Sequence, residues 1–293
     1  MNQLELPTRP QTATARGISE PIATPWHEFG PGGGAWMLHP ADLRALDPFV
    51  LVDHFQLGQP VFAPHPHAGF SAVSYLFEDS ADGLLNRTSL GEKNFIAPGS
   101  LQWFQAGRGA MHDEAPRTPG RAAHGLQVFV NSAAANKNAE PASFSRDAAE
   151  IAVVEREGAR VRVVLGEFAG HSVRFGAHTP VTLLDITLSA NATLEVPLPR
   201  AFSAFAIVAR GALAGHRVDG PHALRFDAAG DVVRLAAGPE GVQLVLLAGA
   251  PIGEPLAARG PFIGNGPTEV NDMIRRFQRG EMGELAPIHP ATS

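Results

Sequence analysis

The 293-residue chain contains no cysteine. Disulfides are therefore excluded, and so is a metal site built on thiolates; the absence fits a reducing compartment. Charge is sparse, with charged residues at 18% and a net charge of −6. Such a balance argues against a protein that binds nucleic acid non-specifically, which needs a basic surface, so no direct nucleic-acid binding is expected. No run approaches the ~18 apolar residues of a membrane-spanning helix. The opening segment MNQLELPTRPQTATARGISEP lacks the continuous apolar core of a secretory signal. The expectation is a soluble, cytoplasmic protein without membrane contact. Familiar catalytic loops are missing too. There is no GxxxxGK[ST], GHSVRF has no Gly-x-Ser-x-Gly elbow, and GPGGGAW lacks the strand-to-helix setting of a phosphate loop and reads as a hairpin connection.

What is abundant is turn chemistry, with 31 Gly and 25 Pro in a composition that is 44% hydrophobic. Many turns and enough apolar mass for a core predict many short strands. Strand-like runs fall at 49–52, 73–77, 101–104 and 126–130, and then at 161–165, 181–188, 194–198, 202–208, 223–226, 232–235 and 242–247. The stretch SAAANKNAEPASFSRDAAE between them is small and polar, without apolar periodicity, and reads as a linker or surface excursion. The expected division is 1–146 and 147–293, an all-β pair of barrels or sandwiches. The first ~20 residues read as a loosely held arm. One helix is predicted near 268–279, where Val270, Met273, Ile274 and Phe277 form a stripe of helical period behind Pro267 and ahead of Gly280.

Within PHPHAGFSAVSYLF, His65 and His67 are two residues apart and so share one face of a strand. Pro66 between them cannot donate to a sheet ladder, which predicts a strand end or an edge. A second pair at the same spacing, His112 and Glu114, follows in GRGAMHDEAP. Three neutral nitrogens and one anionic oxygen suit a divalent first-row metal such as Fe, Mn, Co, Ni or Zn, and four protein ligands on an octahedral ion leave two positions open. His171, His178, His216, His222 and His289 of the second half form no such pair, so that half is expected to bind no metal.

The segments DPFVLVDHF, HPHAGFSAVSYLFE, APGSLQWFQAGRGAMHDE, AHGLQVFVN and LLAGAPIGEPLAARGPFIGN together resemble the pirin family of bicupins over about residues 35–277. The resemblance implies two β-barrel cupin domains facing each other, closed by a C-terminal helix. It implies one mononuclear metal in the N-terminal barrel, most often Fe(2+), with Cu joining Mn, Co, Ni and Zn as compatible ions. The family's His-Pro-His and His-x-Glu ligand motifs fall on His65, His67, His112 and Glu114. Two departures stand out. Ser71 and Ala72 occupy the place of a Glu common in cupins, and His54 stands where pirins often carry Glu; His54 is expected at a rim or surface. His124 is a candidate to orient a ligand, with a structural histidine as the alternative.

The resemblance implies one of two functions. As an enzyme the protein is a metal-dependent dioxygenase acting on flavonols such as quercetin, with Glu114 as catalytic base and Phe55, Phe70, Trp103 and Phe104 as candidate apolar walls. Its partners are then a small aromatic substrate and dioxygen. As a regulator it is an iron-dependent redox sensor that contacts protein partners without turnover.

Overall fold

The computed structural model of the chain describes residues 13–175 and 177–286. Strands dominate because apolar residues recur at every second position. In the strand Ala123–Asn131, Leu126, Val128 and Val130 join the large apolar cluster, while Gln127 and Phe129 point to the opposite face. In the first half a seven-stranded antiparallel sheet runs in the order Ala142–Arg146, Leu101–Gln105, Phe70–Leu76, Ala123–Asn131, Phe49–Leu57, Gly33–Met37, Trp26–Gly30. A four-stranded sheet, His65–His67, Ala110–Pro116, Leu84–Thr88 and Lys93–Ile96, lies opposite and is tied to it by the Ser74–Glu114 hydrogen bonds.

The second half is built on one nine-stranded antiparallel sheet, to which Ile22–Ala23 contributes an edge strand. Its long strand Val232–Gly249 pairs with Thr193–Pro197 through its first residues, then with Val181–Leu188 and Ser203–Leu213 through its last. The predicted runs 232–235 and 242–247 are thus one bent strand. The strand Ala142–Arg146 lies inside the segment expected to be a linker. It pairs at an edge with Leu101–Gln105, and a polar edge strand shows too little apolar alternation to be read from sequence.

The outer face of the large first sheet packs on the second half. Tyr75, the sole tyrosine of the chain, is fully buried there and donates to Asp185 Oδ2 at 2.7 Å. Arg162 Nη1 donates to the Tyr75 hydroxyl at 2.6 Å and Nη2 to the Gly99 carbonyl at 2.9 Å. Arg162 Nε adds an ion-pair contact to Glu78 at 3.4 Å, so a chain of buried polar groups crosses from one half to the other.

Both chain ends cross over. Residues 14–23 are not a loose arm. Ile22–Ala23 pair with His222 and Ala223, and buried Arg16 donates to the carbonyls of Pro199, Phe202 and Gly230; the first twelve residues of the expected arm lie outside the described ones. At the other end the hairpin Ala257–Arg259/Phe262–Gly264 and the helix Pro267–Gln278 return to the first half. Phe262, Val270 and Met273 cluster with Ala68 and Met111, behind the strands that carry the histidines. Gly69 (φ +85°) makes this fit possible, since a Cβ there would lie 1.9 Å from the Ile263 carbonyl oxygen.

Candidate metal centre

The strand His65–His67 is the edge of the four-stranded sheet, as Pro66 requires. In its antiparallel register with Ala110–Pro116, His65 stands directly opposite His112, and His67 opposite Ala110. His65, His67 and His112 therefore leave one face together, while Pro66 and Met111 point back toward the C-terminal helix. The three Nε2 atoms converge: His112 Nε2 lies 2.9 Å from that of His67 and 3.0 Å from that of His65. One ligand atom from each of the three lies within 4.8 Å of the others, and among the described residues they form the one such group of His, Asp and Glu.

The protonation pattern favours a cation at the centre. His65 Nδ1–H donates to the Ala63 carbonyl at 2.8 Å, which leaves the lone pair of its neutral ring on Nε2. Burial, reinforced by the neighbouring imidazoles, pushes His67 and His112 well below the usual histidine range, so both rings are neutral. Burial also lowers His65, opposed by the Ala63 carbonyl and by Asp113. The Nδ1 atoms of His67 and His112 are buried without a hydrogen-bond partner. Three neutral imidazoles meeting nitrogen to nitrogen cannot all satisfy one another with hydrogens. A first-row divalent ion accepts all three lone pairs at once, so the donor set fits a metal.

Glu114 continues the same face, two residues beyond His112. Its carboxylate stands outside the group of converging nitrogens and is engaged by Ser74, whose Oγ lies 2.9 and 2.8 Å from its two oxygens and 3.0 Å from Gln127 Oε1. One hydroxyl hydrogen thus faces three acceptor oxygens. Burial, with a smaller push from Asp113, raises the Glu114 carboxyl to about 7 against the opposing Ser74 bond. Asp113 points to the other face and pairs with Arg87 at 2.6 Å.

Aromatic rings enclose the histidines. Phe104 stacks on His112 at 5.1 Å between centroids, and Phe70 and Phe129 meet His67 at 4.9 and 5.2 Å. Below them a polar layer crosses the large sheet, where Asp53, Gln127, Ser74 and Gln102 stand on adjacent strands in register. Gln102 continues through Asn94 to Asn86, with bonds of 2.7 Å each. Burial raises the Asp53 carboxyl to about 7.

Of the four residues of the two pairs, His65, His67 and His112 converge, while Glu114 stands outside their group on Ser74; of the expected aromatic walls, Phe70 and Phe104 contact the histidines. Sequence reading missed Phe129, Ser74, Gln127 and Asp53, whose signal is their parity with known site residues once strand register is known. Phe55 sits in a separate apolar cluster, and Trp103 faces the second half. His54 is not at a rim. It is 3% exposed, packed on Trp36 and Phe77, with Nε2 2.6 Å from His124 Nε2. Burial pushes His54 down to about 3. His124 accordingly pairs with His54 and Asp79, on the face of the sheet turned away from His65, His67 and His112. Of the second half's histidines, His222 is buried with Nδ1 on the Gly220 carbonyl and has His216 near it, and among the described residues none joins a group of three that could hold a metal; His289 lies outside the described residues.

Comparison with known proteins agrees with this architecture. The Pirin family model matches residues 35–130 and the pirin C-terminal cupin domain residues 183–283. Pirin of Rattus norvegicus is 34% identical over 250 residues, covering 83% of this chain and 84% of that protein. A quercetin 2,3-dioxygenase from Acinetobacter baumannii shares the fold at a TM-score of 0.84, with 24% identity over 93% of this chain and 100% of the other. The bacterial pirin YhhW of Escherichia coli, in complex with nickel(II), does so at 0.62, with 17% identity over 80% of this chain and 100% of the other. The fold is two cupin domains with one C-terminal helix, a histidine cluster suited to a metal lies in the first of them, and the chain belongs to the pirin family.

Proposed function

We propose that the chain is a mononuclear metal dioxygenase acting on flavonol-like, quercetin-type substrates, with iron held by His65, His67, His112 and Glu114. The observation that carries the reading is the convergence of three neutral Nε2 atoms beneath the rings of Phe70, Phe104 and Phe129. The fold shared with a quercetin 2,3-dioxygenase supports it. A bound ferrous ion supplies a Lewis acid for the substrate oxygens and an electron relay to dioxygen.

The chain's own groups do the rest. The flat aromatic walls accept a planar, largely apolar substrate and keep water from the reacting face. Glu114 is the general base for the substrate's enolic hydroxyl. Burial raises its carboxyl, which strengthens it as a base, and a bound cation opposes that rise and keeps it ionised to accept the proton. Ser74 aims that carboxylate by holding it on its hydroxyl, and Gln127 limits the rotation of Ser74. The neighbouring Asp53 and Gln102 keep the layer polar, so a carboxyl can exchange its proton there.

Oxygen uptake by the iron-loaded protein tests the assignment. Quercetin-dependent consumption is expected, and Glu114→Gln, saturated with metal, is expected to be at least about a hundredfold slower, as loss of a general base costs 10²–10⁴-fold. Full activity of the metal-replete variant removes the base role. Absence of quercetin-dependent uptake by the native protein removes this substrate, and the redox-sensing regulator then becomes the better reading.

A further inference from the structure

A sizeable cavity lies away from the histidines. It lies at the mouth of the second barrel, where that barrel meets the first, and encloses about 600 Å³. A volume of that size matches small-molecule sites. Its walls are mostly apolar, with Phe168, Phe175, Leu198 and Phe202 contributed by the second half and Trp103 by the first. Glu167 and Arg174 stand exposed at the edge, one of each sign, and Asp231 is already bonded to Arg200 and to the Thr14 amide. The site therefore offers no unbalanced charge to a ligand.

Trp103, one of the lining residues, carries a polar group that is unaccounted for and that a ligand reaches only through a small shift of the indole. The indole nitrogen of Trp103 is buried and makes no hydrogen bond, while the residue as a whole is 2% exposed. A buried N–H without a partner is destabilising, and such groups are uncommon unless something outside the protein satisfies them. The lid over the cavity is aromatic as well. Phe175 stacks on Phe144 at 5.6 Å and meets Trp103 at 6.4 Å. The segment after it is anchored to the first half, where Thr179 Oγ1 donates to the Asn131 carbonyl at 2.8 Å.

We propose that this cavity is a second ligand site, separate from the metal centre, for an uncharged, planar aromatic molecule with a carbonyl or ether oxygen that accepts the Trp103 N–H. The volume sets the size, the ring-lined walls the flatness, the balanced edge the neutrality, and the orphan donor the acceptor. The site stands whether or not the metal centre turns over a flavonol.

The uncharged fluorophore prodan, a naphthalene bearing a propionyl ketone, is a probe of this chemistry. The full-length protein is expected to bind it saturably, one per chain, with blue-shifted emission. Trp103→Phe keeps an aromatic wall and removes the donor; it is expected to weaken binding about three- to tenfold, the value of one hydrogen bond. Ala177→Trp, which fills the edge of the cavity, is expected to reduce binding by more than about tenfold, with an unfolding midpoint that shows the fold intact. His112→Ala is expected to bind prodan as the native protein does. No saturable binding by the native protein overturns the proposal. So do unchanged binding in Trp103→Phe, and loss of binding in His112→Ala, which relocates the probe to the metal barrel. If Ala177→Trp does not fold, the Trp103→Phe and His112→Ala arms still decide.

Discussion

Between the sheets of the first domain lie two hydrogen-bonded sets, Glu114 with Ser74 and Gln127, and Gln102 with Asn94 and Asn86. The corresponding filling of the second domain is Val161, Val163, Leu184, Ile186, Leu244 and Leu246, all with essentially no exposure. Polar groups can be buried only when bonded, and their net contribution to stability is small. Apolar groups of the same size contribute about 1.5–3 kcal/mol each. One fold thus serves two purposes. The polar interior holds ionisable groups where chemistry can use them, and the apolar interior anchors the pair. The strand Leu101–Gln105 joins the two regimes, turning Trp103 toward the second domain and Phe104 onto His112.

The sharpest way to break the comparison is at the histidines. His67→Ala or His112→Ala is expected to lower metal affinity by at least about tenfold, since changes even to groups that merely support a ligand cost 10–100-fold. The cooperative unfolding transition should persist, because neither domain's core is built on the site. Elemental analysis alongside thermal unfolding checks both halves of the statement; loss of the transition would make the metal structural.

Truncating the apolar side has the reverse signature. Leu246→Ala is expected to cost about 2–5 kcal/mol in urea unfolding while metal stoichiometry stays unchanged.

The polar layer also has a pH signature. Burial raises Asp53 from 3.8 to about 7, so the folded state holds a proton that the unfolded chain has released. Its contribution is complete below pH about 4 and is lost as pH rises to about 7, which makes stability fall across that window. At about 1.4 kcal/mol per pKa unit the swing is a few kcal/mol at most. Asp53→Asn should flatten the pH dependence of unfolding between pH 4 and about 7; an unchanged slope would assign it to another group.

The smallest expected effect lies between the domains. Tyr75→Phe removes the hydroxyl that joins Arg162 to Asp185, and is expected to cost about 1–3 kcal/mol without altering metal content. Calorimetry of the variant also tests whether the two domains still unfold as one transition.

Local pattern alone was enough to put the residues of the two pairs on shared faces. Spacing of two in a strand places His65 with His67 and His112 with Glu114 on shared faces, and Pro66 demands an edge; no long-range information is needed. Alternation likewise located most strands, and helical periodicity placed the C-terminal helix within one residue of Pro267–Gln278. Strands such as Leu84–Thr88 and Ala142–Arg146 escaped because their polar residues are satisfied by partners far along the chain.

What lay beyond the sequence was which residues meet across strands and which face is buried. Ser74 beneath Glu114 depends on the register of three strands, and His54 against His124 on a pairing between strands seventy residues apart. The crossing of both chain ends, with Arg16 held by three carbonyls of the second domain and Met273 behind the histidine strands, has no local signature. Composition and periodicity are properties of neighbours in the chain, and they specified most of the elements and the paired histidines. Register, burial and the pKa values that follow from burial are properties of neighbours in space, and only the packed structure sets them.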